Sequence, residues 1–547
     1  MMDFTKHFAT RLRSLATPQR APIPGAGQVP NSAGGYAWAV TPWQRLDRFL
    51  VLGTEGGTYY VGERELTVES AGAVAECIAE DGVRVVARAV EISEAGRAPK
   101  NDPALFVLAM AAGMGDEATR AAALRALPRV ARTGTHLLHW LRYVQAFRGW
   151  GRGVRRAVGA WYLAKEPREL AYQLLKYPQR DGWSHRDALR LAHPRPEGDE
   201  RRALLRRAVT GELGEAPDTE AVRLVRAVAE LHADAEVAPA RAAALVREHR
   251  MTREMVPTPL LNEAVVWEAL LERMPLGALV RNLATLTRVG LLAPGSEAAR
   301  AVSERLTDAA ALRRARVHPV QVLSAMRTYA AGRGFRGKHS WKPVAGVVDA
   351  LDAAFYLAFG AVEPSGKRMM LALDVSGSMM APVQGLEQLS CREASAAMAL
   401  VTAATEPRHL FTAFTAGSRP SMHAGFSTGL TTLAISPRQR LDDVLATTAG
   451  LSFGGTDCAL PMLEARKRGW AVDVFVIYTD SETWAGDVHP VQALRQYREA
   501  TGILAKLVVV AMASNGFTIA DPADAGMLDV VGMDAAVPDL LSQFARA

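Results

Sequence analysis

The hydrophobic pattern changes its period once, near Gly360, and that single change restricts the chain to a few architectures. From about residue 42 to 360, apolar residues recur at three- and four-residue spacing. Examples are Ala203-Leu204-Leu205-Arg206-Arg207-Ala208-Val209 and Ala221-Val222-Arg223-Leu224-Val225. That is the spacing of one apolar helix face. Breaks at Pro128, Gly149–Gly153, Pro194–Pro196, Pro257–Pro259, Pro275, Pro294 and Pro319 keep these helices short. A long succession of short helices predicts stacked helix pairs of the solenoid class, although no exact repeat shows in the letters. Gly56–Val61 is the exception and reads as a small hairpin strand. After Gly360 come short apolar runs at Arg368–Val375, His409–Thr415, Val472–Thr479 and Leu504–Ala511. Helical segments separate them, beginning with Cys391–Thr402. Strand–helix alternation predicts an α/β, doubly wound, Rossmann-like parallel sheet, with ligands at the carboxyl ends of the strands.

A chain of 547 residues can bury more than one core. The expected division is an N-terminal Pro/Gly/Ser-rich arm over 1–35, a helical domain over 36–362 and an α/β domain over 363–547. No apolar run approaches the ~18 residues of a spanning helix, so no membrane partner is expected. The opening stretch has no apolar core like that of a secretory signal. Cys77, Cys391 and Cys458 lack disulfide or zinc spacing, which fits reduced thiols in a cytoplasmic protein.

Charge follows the same division. Residues 1–350 carry 50 Lys and Arg against 37 Asp and Glu, a balance of +13; residues 351–547 carry 14 against 20, a balance of −6. A basic half suits a polyanion such as nucleic acid, and an acidic half suits a cation. Arg dominates over nine Lys, which GC-rich codon usage would explain equally well.

The acidic half holds the sharpest constellation. Asp374-Val375-Ser376-Gly377-Ser378 directly follows the first expected strand, so one carboxylate and two hydroxyls can aim at one point. Gly454-Gly455-Thr456-Asp457 offers another hydroxyl, and Tyr478-Thr479-Asp480-Ser481-Glu482 ends a strand with a carboxylate. Oxygen donors of low formal charge fit one hard divalent cation, Mg²⁺ first, with water completing the shell. Asp and Ser capping helix starts would account for one such loop, but not for three in this order.

The basic half is richest between Arg132 and Arg190, with twelve Lys and Arg against four acids. Trp140, Tyr143, Phe147, Trp150, Trp161, Tyr162, Tyr172, Tyr177 and Trp183 lie among them. Guanidinium groups for phosphates and aromatic rings for bases are what single strands and RNA loops need. Aromatics in helix cores with Arg on solvated faces would give the same letters. Arg313–Lys342 adds eight basic residues and no acid. Its Gly332-Arg333-Gly334-Phe335-Arg336-Gly337-Lys338 is not a phosphate-binding P-loop. His339 follows the Lys where a Mg²⁺-binding hydroxyl is needed, and Pro319–Ala331 before it reads as helix rather than strand.

Several longer motifs carry a family resemblance. Asn31–Tyr36, Arg45–Leu50, Gly53–Tyr60, Lys176–Asp187, Leu261-Asn262, Met274–Leu283, Arg316–Pro319 and Val362–Arg368 run in order over nearly the whole chain. They resemble the TROVE module of the Ro autoantigen family, and the three oxygen-bearing loops resemble the metal-ion-dependent adhesion site of von Willebrand A domains. The resemblance implies a ring of HEAT-like helical repeats followed by a von Willebrand A domain. It places Asp374, Ser376, Ser378, Thr456 and Asp480 on the ion, directly or through water. It further implies small noncoding Y RNAs on the basic outer surface and single-stranded 3′ ends of misfolded RNAs in a central hole. Lys176, Arg180 and His193 are similar to positions that contact Y RNA in relatives, and Arg142, Arg148 and Arg186 share their basic stretch. A bacterial relative is implied, whose partner would be a 3′-to-5′ exoribonuclease such as polynucleotide phosphorylase, with the chain otherwise monomeric.

Two functions of different class follow. One is a non-enzymatic RNA-binding scaffold; the other is a protein-adhesion module whose ion grips a partner carboxylate. A metal-dependent nuclease fits poorly, because such sites cluster several carboxylates and often two ions.

Overall fold

The change of period at Gly360 becomes a change of architecture. The computed structural model describes residues 16–53, 63–233, 237–334, 339–359, 362–383, 386–415, 429–449, 451 and 454–547. By contacts these form two compact units. One is residues 75–354; the other joins the described residues up to Val74 with Phe355–Ala547. Among the described residues, no helix is long and apolar enough to cross a membrane. The three cysteines are buried and unbridged. The strand expected at Gly56–Val61 lies outside the described residues, as do Phe335–Lys338 of the basic Gly-rich stretch.

The first unit is helical, and most predicted breaks fall at or between helix ends; Pro128 does not, lying inside helix Glu117–Val130 near its last turn. Asp116, Thr133, Ser184, Ser296 and Asp308 each accept a backbone N–H of the first turn, satisfying donors that a helix start leaves open. Pro167, Pro239 and Pro319 open helices at the first position, where the missing N–H costs nothing. The helix Pro319–Ala330 confirms that no strand precedes the Gly-rich stretch. The succession of helices closes on itself. His318 Nε2 lies 2.9 Å from the Arg97 carbonyl and Gln321 donates to the Pro99 carbonyl at 2.6 Å, across more than 220 residues.

The second unit is built on a six-stranded sheet. Its strands are β1 (Met369–Asp374), β2 (His409–Phe414), β3 (Leu430–Thr432), β4 (Val474–Thr479), β5 (Lys506–Ala511) and β6 (Met527–Val531), in the order β6-β5-β4-β1-β2-β3. All pair in parallel except β3, which is antiparallel on β2. β1 and β4 are buried at every position, which is why they read as continuous apolar runs. Met370, Phe475, Ile477, Leu507, Val509 and Tyr497 fill the core below the sheet. The direction of strand order reverses between β1 and β4, the switch point where doubly wound sheets open a crevice.

The expected arm boundary at residue 35 does not separate the chain. Val29–Pro30, Tyr36–Ala39 and Phe517–Thr518 form a small antiparallel sheet, and the Gln19 amide donates to the Gly486 carbonyl at 2.9 Å. Helix Pro42–Leu52 follows, opened by a Thr41–Gln44 capping box. Its Arg48 is almost wholly buried and donates both Nη2 bonds to Asp529 at 2.8 and 2.9 Å. Backbone pairing and this ion pair place residues 16–52 in the α/β unit rather than in a separate arm. Arg48→Ala leaves Asp529 buried with only the Thr518 hydroxyl as donor, so the expected loss is about 3–5 kcal/mol. Hydrogen exchange of Phe517–Val531 across a urea series measures it. Arg48→Lys restores little, because an ammonium cannot match the two-pronged geometry.

Candidate functional site

Each of the three oxygen-bearing loops is folded by its own backbone. β1 ends on Asp374, whose Oδ1 accepts the Ser376 amide at 2.9 Å and turns the chain into the 3-10 segment Gly377–Met380. That turn brings Ser376 Oγ and Ser378 Oγ to 3.1 Å. β4 ends on Thr479, which donates its hydroxyl to Asp374 Oδ2 at 2.6 Å and so joins the two strand ends. Asp480 accepts the Glu482 amide at 3.0 Å and a hydrogen bond from Ser378. Ser481 follows at φ +63°, a left-handed conformation that a non-glycine residue holds only under constraint. The middle loop is drawn in from both sides: Gly377 N donates to the Gly454 carbonyl at 3.3 Å and Thr415 Oγ1 to the Gly455 carbonyl at 3.1 Å.

All five expected donors, Asp374, Ser376, Ser378, Thr456 and Asp480, therefore lie on loops at one end of the sheet, around the switch point. All are buried, none more than 4% exposed. Thr456 Oγ1 has no hydrogen-bond partner among the described residues. Burial, then the neighbouring Asp480 charge, pushes the Asp374 carboxyl up to about 7. Burial also raises Asp480, and burial followed by the Asp480 charge pushes Glu482 up to about 8. Two buried carboxyls sharing one space and an orphaned hydroxyl beside them are what a bound cation would satisfy. Among the described residues no three His, Cys, Asp or Glu side chains converge; the donors here are mostly hydroxyls.

Several supporting residues gave no local signal. Gln19 donates to Asp457 Oδ1 at 2.7 Å across 438 residues and accepts the Thr483 hydroxyl. Asn31 donates to the Thr483 carbonyl at 2.7 Å, and the Ala33 amide to Glu482 Oε2 at 2.9 Å. Arg48 donates to Asn515 Oδ1 at 2.8 Å, and the Asn515 side chain donates in turn to the Asp480 carbonyl at 2.5 Å. Gly486 is required by this packing, since a Cβ there would lie 2.4 Å from both Asp457 Oδ1 and Gln19 Nε2. Thr479 was readable as the one aliphatic hydroxyl in the apolar run of β4.

The helical unit distributes the expected RNA contacts rather than gathering them. Arg142, Arg148, Arg180, Arg186 and His193 are exposed and Lys176 is half-buried. Lys176 Nζ donates to Tyr172 Oη at 2.8 Å and lies 5.1 and 5.2 Å from the Tyr172 and Tyr177 ring centres. His193 ends helix His185–Ala192 in a left-handed conformation, φ +47°. It lines a trough of about 670 Å³ with Arg152, Arg155 and Arg156. Lys176 opens instead onto a second cavity with Arg250, Arg253 and Arg273. Arg148 reaches back to the Ala112 carbonyl at 3.3 Å.

Packing claims many of the aromatics. Trp140, Trp161 and Tyr162 are core residues, and Tyr143 and Phe147 meet Phe106 edge-on. Half-buried Trp150 and Trp183, 5.7 Å apart, keep exposed surface, as do Tyr172 and Tyr177. Arg180 sits on an unforeseen hairpin, Gln179–Arg180 against Trp183–Ser184. Its turn residues Asp181 and Gly182 both have positive φ, 52° and 80°, the two-residue turn that Asp-Gly signals. Asp181 also accepts from His139 Nδ1.

Comparison with known proteins agrees with both units. Residues 29–328 match the family described as TROVE domain, and residues 368–545 the Ro60 vWA domain. The chain is 45% identical over 522 residues to the RNA-binding protein RO60 of Deinococcus radiodurans, covering 95% of each. The chain belongs to the Ro60 family. It is also 37% identical over 595 residues to the RNA-binding protein RO60 of Caenorhabditis elegans, covering 95% of this chain and 90% of that protein. The crystal structure of the Deinococcus radiodurans Ro (RSR) protein superposes with a TM-score of 0.69 at 45% identity, over 92% of this chain and 99% of that one. The TROVE match includes Asn31 and Arg48, which here brace the oxygen-bearing loops; Gln19 lies outside both matches.

The raised carboxyls give the Ro60-type α/β unit a defined pH dependence. Asp374 has a folded-state pKa of about 7 against 3.8 ordinarily, so between these values the folded state binds more protons than the unfolded. Stability then falls as pH rises through that window. In EDTA, the melting temperature of the wild type should drop more between pH 4.5 and 8 than that of Asp374→Asn. Parallel curves in differential scanning fluorimetry would refute this.

Proposed function

We propose that this chain is a non-enzymatic RNA-binding scaffold. In this reading the helical unit binds small noncoding Y RNAs on its basic outer surface and single-stranded 3′ ends of misfolded RNAs within its closed succession of helices. The α/β unit holds one divalent cation, Mg²⁺ first. The observation that carries the reading is the match to two relatives named RNA-binding proteins over 95% of this chain, with the cations of the helical unit that have no acidic partner among the described residues beside it. The chain acts in the cytoplasm in RNA quality control, as a monomer apart from its ribonucleoprotein complexes. A 3′-to-5′ exoribonuclease such as polynucleotide phosphorylase is the proposed protein partner.

Lys176, Arg180, His193, Arg142, Arg148 and Arg186 are the proposed RNA contacts. Phosphate contacts release counterions, so affinity falls steeply with salt. Filter binding of Y-like RNA should lose most of its affinity between ~50 and ~200 mM salt, and Lys176→Ala should reduce the salt slope by about one. No binding at low salt would refute the RNA reading.

Asp374, Ser376, Ser378, Thr456 and Asp480 are the proposed ligands. A bound cation would neutralise the two buried carboxylates and could present a free position to an anion, such as a partner's carboxylate. Asp374→Ala should abolish Mn²⁺ binding seen by electron paramagnetic resonance while leaving RNA affinity within twofold. Release of a co-purifying protein by the same substitution would favour the adhesion role for this unit. Loss of RNA binding instead would contradict the division of labour.

A further inference from the structure

We propose that the cavity beside Lys176 is a pocket for one unstacked nucleotide of the bound RNA, an inference that rests on the RNA-binding reading. The cavity lies wholly within the helical unit and measures about 320 Å³. That is the low end of small-ligand pockets, and far too small for a duplex. Leu270, Met274, Pro275 and Ala278 give it an apolar lining. Lys176, Arg250, Arg253 and Arg273 also line it, against a single acid, Glu254.

Two details separate this cavity from a general basic surface. The Arg250 and Arg273 side chains form no ion pair or hydrogen bond among the described residues, so their charge is not already spent within the protein. Arg253 is fixed by donating to Asn282 Oδ1 at 3.0 Å, and Asn282 is anchored on the Ala278 carbonyl at 2.7 Å.

The backbone is arranged to the same end. Helix Pro239–His249 stops at Arg250, which adopts φ +51°. A non-glycine residue in this region costs conformational energy, and here it delivers Arg250, Met251 and Thr252 together to the cavity wall. Tyr172 supplies an aromatic side chain, held by the hydrogen bond from Lys176. The chemistry that fits is a phosphate on the free guanidinium groups and a base or ribose against the apolar lining. Unstacked bases of single strands and loops offer this combination, whereas bases in a duplex do not.

The test compares a short single-stranded RNA with a blunt duplex of the same sequence, by filter binding to the full chain at fixed salt. Arg250→Ala and Arg273→Ala each remove an exposed side chain that lines the cavity and has no ion pair among the described residues. Each should weaken the single strand about tenfold and the duplex less than twofold, with an unchanged helical circular dichroism spectrum. Cross-links from 4-thiouridine in the single strand should map to the peptides holding Tyr172 or Met251. Equal losses for both RNAs would reduce the cavity to a general electrostatic surface and overturn the proposal. Unchanged single-strand affinity in both variants would also overturn it. Wild-type chain that binds neither RNA would instead remove the RNA-binding reading itself.

Discussion

The Arg48 guanidinium organises the α/β unit more than any other single group. It is 1% exposed and satisfies four acceptors: Asp529 through both oxygens, the Asn515 side chain, and the carbonyls of Asn515 and Phe517. A buried charge is tolerable only when paired and hydrogen-bonded in this way. The cluster fixes helix Pro42–Leu52 against β6 and holds the Phe517–Thr518 segment in place for pairing with Tyr36–Ala39. Through Asn515 it also reaches the Asp480 carbonyl. An N-terminal segment that by composition is a loose Pro/Gly-rich tail is thereby a wall of the oxygen-bearing site.

That wall answers a need of the site itself. Asp374 and Asp480 are two buried carboxyls in one crevice, with Glu482 near enough to feel the Asp480 charge, and each of the three is pushed towards its protonated form. Left to local loops, such a cluster would open to water. It stays closed because neutral donors brace its outer edge: the Gln19 amide on Asp457, the Asn31 amide on the Thr483 carbonyl, and the Ala33 N–H on Glu482. None of these adds a positive charge to the crevice. Supports that orient ligands without joining them are what hold such constellations within productive geometry.

What the letters revealed follows the range of the interactions involved. β1 and β4 were legible because a strand buried on both faces must be apolar throughout, and Asp374, Ser376 and Ser378 because one turn gathers them. β3 was not, since three residues at a sheet edge make too short a pattern, and β6 has mixed burial. The Asp181-Gly182 turn was readable but sits within strongly helical surroundings. Gln19 and Arg48 had no local signature, because their partners lie more than 430 residues away. Trp140, Trp161 and Tyr162 show the opposite failure. Their letters fit nucleobase stacking, but helix packing had already used them, and letters alone do not reveal burial.

The same distinction applies to charge. The helical unit is basic on balance, yet many guanidinium groups are already paired: Arg129 with Glu94, Arg168 with Glu220, Arg241 with Glu230, and Arg247 with Glu272. Exposed pairs of this kind stabilise a fold by only about 0–1 kcal/mol, but each cancels the local positive potential that would attract a phosphate. What remains is carried by groups such as Arg152, Arg155 and Arg156 beside His193, and Arg250 and Arg273 beside Lys176, which have no acidic partner among the described residues. These groups line two separate cavities. A polyanion is therefore drawn to places set by where acids are missing, not by where arginines are most frequent. The net charge of the sequence indicates that such places exist; only the pairing shows where they are.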